Sequence, residues 1–153
     1  MTVRKLTPQF VERFPEQLQP GVLYVAMEFA SAAHSCACGC GRKVITPFSP
    51  TDWQMVFDGE TVSLRPSIGN WSFPCRSHYW IRSNRIEWAA EMSQKSIDCG
   101  RARDIRAKAL HTAARAAESQ AQHVKSVQQH QTQDDPSVPA VKRWKRLKAW
   151  LGL

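Results

Sequence analysis

The stretches His34-Ser35-Cys36-Ala37-Cys38-Gly39-Cys40-Gly41 and Cys75-Arg76-Ser77-His78 decide how this chain is read. A structural zinc site takes four ligands in a tetrahedron at about 2.0 to 2.3 Å, usually supplied as two short-range pairs that close a loop. The Cys-x2-His pair has that spacing, while Cys36 and Cys40 have three residues between them. Gly39 and Gly41 supply the positive φ and the close backbone approach that a tight turn around a metal requires. Three other readings compete. Buried cysteines are common in β domains, but alternate cysteines beside two glycines are a poor core filler. A reducing compartment disfavours disulfides, and histidine is an unusual ligand of iron–sulfur clusters. The expected Zn2+ ligands are therefore Cys36, Cys38, Cys40, Cys75 and His78, with His34 as a sixth candidate for four places.

The surplus divides structural from catalytic roles. A spare group is a free or supporting thiol, a nucleophilic cysteine, or the sign of a zinc with one open position. A catalytic zinc also needs a general base, for which Glu28, Asp52 and Asp58 are near in sequence, but no H-E-x-x-H pattern is present. Cys99 reads as a bystander.

Working outward, Val22 to Phe29 is β-branched, aromatic and bounded by Pro20-Gly21, which predicts a buried strand running into the cysteine cluster. Lys43 to Thr46 leaves the cluster as a second strand, stopped by Pro47. Trp53–Phe57 and Thr61–Leu64 flank Asp58-Gly59, a hairpin signal with both central residues at positive φ. Residues 66–74 read as an aromatic loop delivering Cys75 and His78 into a strand from Tyr79 to Arg82, which a Ser83-Asn84 turn joins to Ile86–Trp88. Residues 1–20 suggest an edge strand or a turn of helix. Beyond Ser93, a plausible N-cap, the Ala-, Arg- and Gln-rich chain predicts a helix with a thin apolar stripe, more solvated or partner-seeking than core.

The expected fold is thus α+β: a small β-rich, zinc-stabilised domain over 1–92, a helix over 93–130, a linker over 131–140 and a basic amphipathic helix over 141–153. At 153 residues the chain suits one domain plus a tail. Its net charge of +8 is uneven, because residues 100–153 hold eleven Lys or Arg against four Asp or Glu. In the last segment Lys142, Arg143, Lys145 and Arg146 surround Trp144, a pattern suited to a protein groove, an anionic membrane or nucleic acid. Neither a signal-peptide core nor a long apolar run is evident, so a cytoplasmic location is expected.

The strings Cys-Ala-Cys-Gly-Cys-Gly, Val-Ile-Thr-Pro-Phe-Ser-Pro-Thr-Asp-Trp, Pro-Ser-Ile-Gly-Asn-Trp-Ser-Phe-Pro-Cys and His-Tyr-Trp-Ile, all between Val22 and Trp88, resemble the bacterial domain-of-unknown-function family catalogued as 6527. The resemblance covers about residues 3–100 and not the tail. It implies a small metal-binding protein with ligands at Cys36, Cys38, Cys40, Cys75 and His78, found in some cases near genes for ubiquitin-like proteins and their conjugating enzymes. The partners it implies are a ubiquitin-like protein or those enzymes, with Trp53, Trp71 and Trp88 as exposed candidates, although core packing is the alternative for at least two of the three. Three functions follow: a zinc-binding interaction module in such a pathway, a zinc- or thiol-dependent hydrolase acting on a ubiquitin-like protein, and a nucleic-acid-binding zinc protein using its basic tail.

Overall fold

Short β-branched and aromatic runs, punctuated by Pro and Gly, become two four-stranded sheets followed by one long helix in the computed structural model, which describes residues 2–133 and side chains through residue 127. The first sheet has the order β1 (Thr7–Phe10), β2 (Val22–Ala26), β3 (Ser31–Ser35) and β4 (Lys43–Pro47). The second is β5 (Gln54–Phe57), β6 (Val62–Gly69), β7 (His78–Arg82) and β8 (Arg85–Trp88). Pairing is antiparallel throughout except between β1 and β2. The helix α1 spans Gln94–Gln133. The chain divides into two units, Met1–Lys108 and Ala109–Leu153.

Both sheets feed one core in the first unit. Leu6, Leu23, Val25, Ala32 and Val44 from the first meet Val62, Leu64, Ile68, Tyr79 and Ile81 from the second. Cys36 and Ala37 belong to the same cluster, so the cysteine turn grows directly out of the core. Burying such side chains contributes about 1.5 to 3 kcal/mol each for the larger ones.

Several expectations change in detail. The strand from Val22 ends at Ala26; Met27–Ala30 is a turn, closed by Ala30 N donating to Met27 O at 3.0 Å. The intervening strand β3, Ser31-Ala32-Ala33-His34-Ser35, has no strand-like composition, but every residue is buried because β2 and β4 flank it. Small residues suit a strand covered on both faces. The two turns exchange chemistry as well. At the Asp58 hairpin only Gly59 has positive φ, and the Asp58 carboxylate accepts from Glu60 N, Thr61 N and Thr61 Oγ1. The mirror-type turn with both residues at positive φ occurs instead at Ser83 (45°) and Asn84 (67°).

Strand β6 runs through Pro66 to Gly69, where an irregular loop was expected. Pro66 is tolerated because the register with β7 slips between Leu64 and Ile68, leaving it in a bulge rather than in the ladder. At the start of α1, Ser93 Oγ accepts from Ser96 N at 3.2 Å as an N-cap. Ile97 is the one buried helix residue among those described. No described helix is long and apolar enough to cross a membrane. The linker and the basic segment, with Lys142, Arg143, Trp144, Lys145 and Arg146, lie outside the described residues.

Candidate functional site

Two groups of reactive side chains lie at opposite ends of one short segment, Cys75 to His78. The first is the thiol cluster. The turn after β3 folds back with Gly39 N donating to Cys36 O at 2.9 Å, and Gly39 and Gly41 take φ of 85° and 74°. This brings Cys36, Cys38 and Cys40 against Cys75, with all four Sγ atoms within 4.8 Å of one another. The Sγ separations are 3.4 Å for Cys36–Cys38, 4.0 Å for Cys36–Cys75 and 3.7 Å for Cys40–Cys75. A tetrahedral site with bonds of about 2.3 Å has edges of about 3.8 Å, so the four thiols could hold a metal ion. Burial pushes the Cys36 thiol up, and burial first of all takes Cys38 to about 12. Burial opposes ionisation at Cys75 too, but hydrogen bonds from Ser77, Cys38 and Cys40 bring it down to about 6.

A buried polar network backs the cluster. Ser77 Oγ lies 3.1 Å from Cys36 Sγ and accepts from Asn70 Nδ2 at 2.9 Å. Asn70 Nδ2 also approaches the Tyr79 hydroxyl, which meets His34 Nε2 at 2.8 Å. His34 is fully buried, its Nδ1 lacks a partner, and burial lowers its pKa to about 4. It is a core histidine outside the thiol group.

His78 is also outside that group. Its Nε2 is 2.9 Å from Ser67 Oγ and its Nδ1 is 3.1 Å from the Ala90 carbonyl oxygen. A carbonyl can only accept, so Nδ1 carries the proton and Nε2 presents a lone pair to which the Ser67 hydroxyl donates. The ring is flanked by Trp71 and Trp80, with centroids at 4.9 and 5.8 Å. The site is built by register. His78 stands directly opposite Gly69, and Ser67 sits where the β6 bulge turns its side chain toward β7. Ala89 N donates to His78 O at 2.9 Å, which fixes the chain whose next carbonyl holds the imidazole.

Ser67 opens into a cleft of about 370 Å³ in the first unit. Pro66, Gly69 and Trp71 form one wall, with Trp53 and Asp52 beside them; Ile97, Gly100 and Arg101 of α1 form another. Asp52 is tied to Lys108 at 2.6 Å, and this bond holds its carboxyl below the usual range. Arg101 reaches Ser72 Oγ at 3.5 Å. Trp53 Nε1 is enclosed without an acceptor.

The structure thus collects four of the five expected ligand candidates and gives His78 other partners. Glu28 is exposed in the β2–β3 turn, Asp58 serves its hairpin, and Cys99 is exposed on α1. Trp53 and Trp71 are half-buried cleft residues, whereas Trp88 is 46% exposed and packs edge-on against Tyr79. Nothing in the sequence singles out Ser67. Its only signal was a serine and a histidine bracketing an aromatic stretch, without a nucleophile motif such as G-x-S-x-G.

No curated protein and no solved structure matches the chain. A family model described as the bacterial ubiquitination-like system serine protease (BubE) matches residues 10–89. That span contains the four clustered cysteines, Ser67 and His78, and it is more than half of the chain. The chain therefore belongs to the family of bacterial ubiquitination-like system serine proteases.

Proposed function

We propose that this protein is a serine hydrolase of a bacterial ubiquitination-like system, with Ser67 as nucleophile and His78 as general base, cleaving an acyl bond at the tail of a ubiquitin-like protein. The observation that carries the reading is the Ser67 Oγ to His78 Nε2 contact of 2.9 Å, with the opposite ring nitrogen held by the Ala90 carbonyl. A nucleophile within hydrogen-bond reach of a base that a third group orients is the arrangement covalent acyl transfer needs. Here the orienting group is a neutral backbone oxygen rather than a carboxylate. The family description, a serine protease, agrees with the chemistry of the pair.

In the reaction, Ser67 Oγ attacks the carbonyl carbon while its proton passes to His78 Nε2. The carbonyl π pair moves onto the oxygen, giving a tetrahedral intermediate. Collapse expels the leaving group, which takes the proton from Nε2, and water then releases the acyl group by the same steps in reverse order of roles. The imidazolium formed on the way lies within 6 Å of the ring centroids of Trp71 and Trp80, whose π systems attract a cation.

The thiol cluster fits Zn2+ as a structural ion held by Cys36, Cys38, Cys40 and Cys75. Its separations suit a tetrahedron, and a bound cation would supply the charge that ionises the buried thiols. Bound there, zinc stabilises the loop-rich end of the core from which β7 departs. The hydrolase reading thus keeps the metal and moves the chemistry from zinc or thiol to serine.

The test is labelling by a fluorophosphonate probe, which reacts with activated serines. Wild-type protein should be labelled at Ser67, and Ser67→Ala and His78→Ala should not. Equal labelling of wild type and Ser67→Ala would sink the assignment.

A further inference from the structure

We infer that the indole N–H of Trp71 is the donor that stabilises the oxyanion in this site, and that Gly69 exists to seat it. The inference rests on the Ser67–His78 reading above. A methyl group at residue 69 would lie 2.3 Å from Trp71 Nε1 and 2.6 Å from its Cε2. The indole therefore fills the place that a side chain at 69 would take. That place is functional by register. Gly69 pairs directly with His78, so a side chain there would project on the same face as the imidazole. Ser67 precedes Gly69 by two residues on the same strand, about 7 Å along it, and reaches that same imidazole.

Trp71 is held from several sides. Gly69 lies beneath it, His78 packs against it with centroids 4.9 Å apart, and the Arg76 guanidinium stands 5.8 Å from the ring centroid. A cation over the ring withdraws electron density and makes the N–H a stronger donor. The ring lines the cleft into which Ser67 opens. Trp71 Nε1 is not among the enclosed, unpartnered polar atoms, so a group in the cleft can reach its hydrogen, whereas the Ser67 hydroxyl is already engaged with His78. A fixed donor on the wall of the cleft into which Ser67 opens has the form of an oxyanion hole: it can exchange water for the carbonyl oxygen as that oxygen acquires charge. The enclosed indole N–H of Trp53 cannot take this part, since solvent does not reach it.

The experiment follows acylation of full-length protein by p-nitrophenyl acetate, with phenylboronic acid as a probe that forms a tetrahedral anion on serine. Trp71→Phe keeps a ring against His78 but removes the N–H. Acylation should slow about a hundredfold or more, the usual cost of losing one such donor. Phenylboronic acid inhibition should weaken by at least about tenfold. Gly69→Ala, which displaces the indole, should produce the same losses, and the double variant should be no worse than either single one. If Trp71→Phe folds, binds metal like wild type and acylates within about threefold of it, the inference fails, since one lost donor should cost far more. If Trp71→Phe slows acylation yet leaves phenylboronic acid affinity unchanged, Trp71 only positions His78 and the inference also fails. A wild-type protein that is not acylated at Ser67 overturns the Ser67–His78 reading and this one with it.

Discussion

Replacing His78 by alanine separates two roles that one residue could fill, metal ligand or general base. In the structure both ring nitrogens are engaged away from the thiols, Nε2 with Ser67 Oγ and Nδ1 with the Ala90 carbonyl. The four sulfurs lie within 4.8 Å of one another without it and could hold a metal ion by themselves. His78→Ala should therefore retain one equivalent of metal per chain, while Cys75→Ser should lose it. A positioned base contributes about a hundredfold to ten-thousandfold to proton transfer, or about 2.7 to 5.4 kcal/mol at 1.36 kcal/mol per tenfold. Acylation of Ser67 by p-nitrophenyl acetate should fall within that range. Combining His78→Ala with Ser67→Ala should add nothing further, because the two act as a unit. Metal is read by inductively coupled plasma mass spectrometry on gel-filtered protein, and acylation by the nitrophenolate burst. If His78→Ala comes off the column depleted of metal, or if it acylates at the wild-type rate, the reasoning is wrong.

The metal reading makes its own demand: a thiol-competing chelator should lower the melting temperature sharply, and readdition of Zn2+ should restore it, whereas indifference to chelation would remove zinc from the fold. Ser77→Ala, which strips a buried hydroxyl from Asn70 and from Cys36 and leaves the Asn70 amide short of an acceptor, should cost about 1 to 3 kcal/mol in urea unfolding. Asp58 has a depressed pKa in the fold, from 3.8 to about 2, chiefly through the Thr61 hydroxyl and then backbone donors. Its stabilising effect is thus complete above pH 4 or so and fades as pH falls through about 2, so the stability gap between wild type and Asp58→Asn should close over that interval; a gap that widens on acidification would contradict the sign. Ile97→Ala, at the only buried position described on α1, should loosen the first turns of α1 within the first unit and raise amide exchange through them, with little change in the two sheets.

What could be read from residues alone followed a physical division. Strands rich in Val, Ile, Tyr and Trp, the Ser93 cap and the long Ala-rich helix were legible because propensity and position agree there. Strand β3 was not, because Ser31, Ala32 and Ala33 are selected by lack of room rather than by strand preference. The thiols were legible through their spacing with glycine. The partnership of Ser67 with His78 was not, since it depends on the bulge in β6 and on Gly69 falling opposite His78, and neither register nor bulge is written in a local pattern. Counting His78 among the ligands came from its Cys-x2-His spacing, which the structure instead uses to set a thiol and an imidazole facing different neighbours.

The bulge in β6 has a further consequence for how this site tolerates change. A regular ladder would lock Ser67 to β7 by two flanking hydrogen-bonded pairs, so any shift of one strand would drag the other. With the register released between Leu64 and Ile68, the segment carrying Ser67 is free to adjust along its own axis while Gly69 and His78 stay in step. Insertions or substitutions in the preceding hairpin, around Asp58 to Thr61, would be absorbed upstream before they reach the imidazole. The irregular stretch works as a slip joint, insulating Gly69 and His78 from the more exposed end of their own sheet.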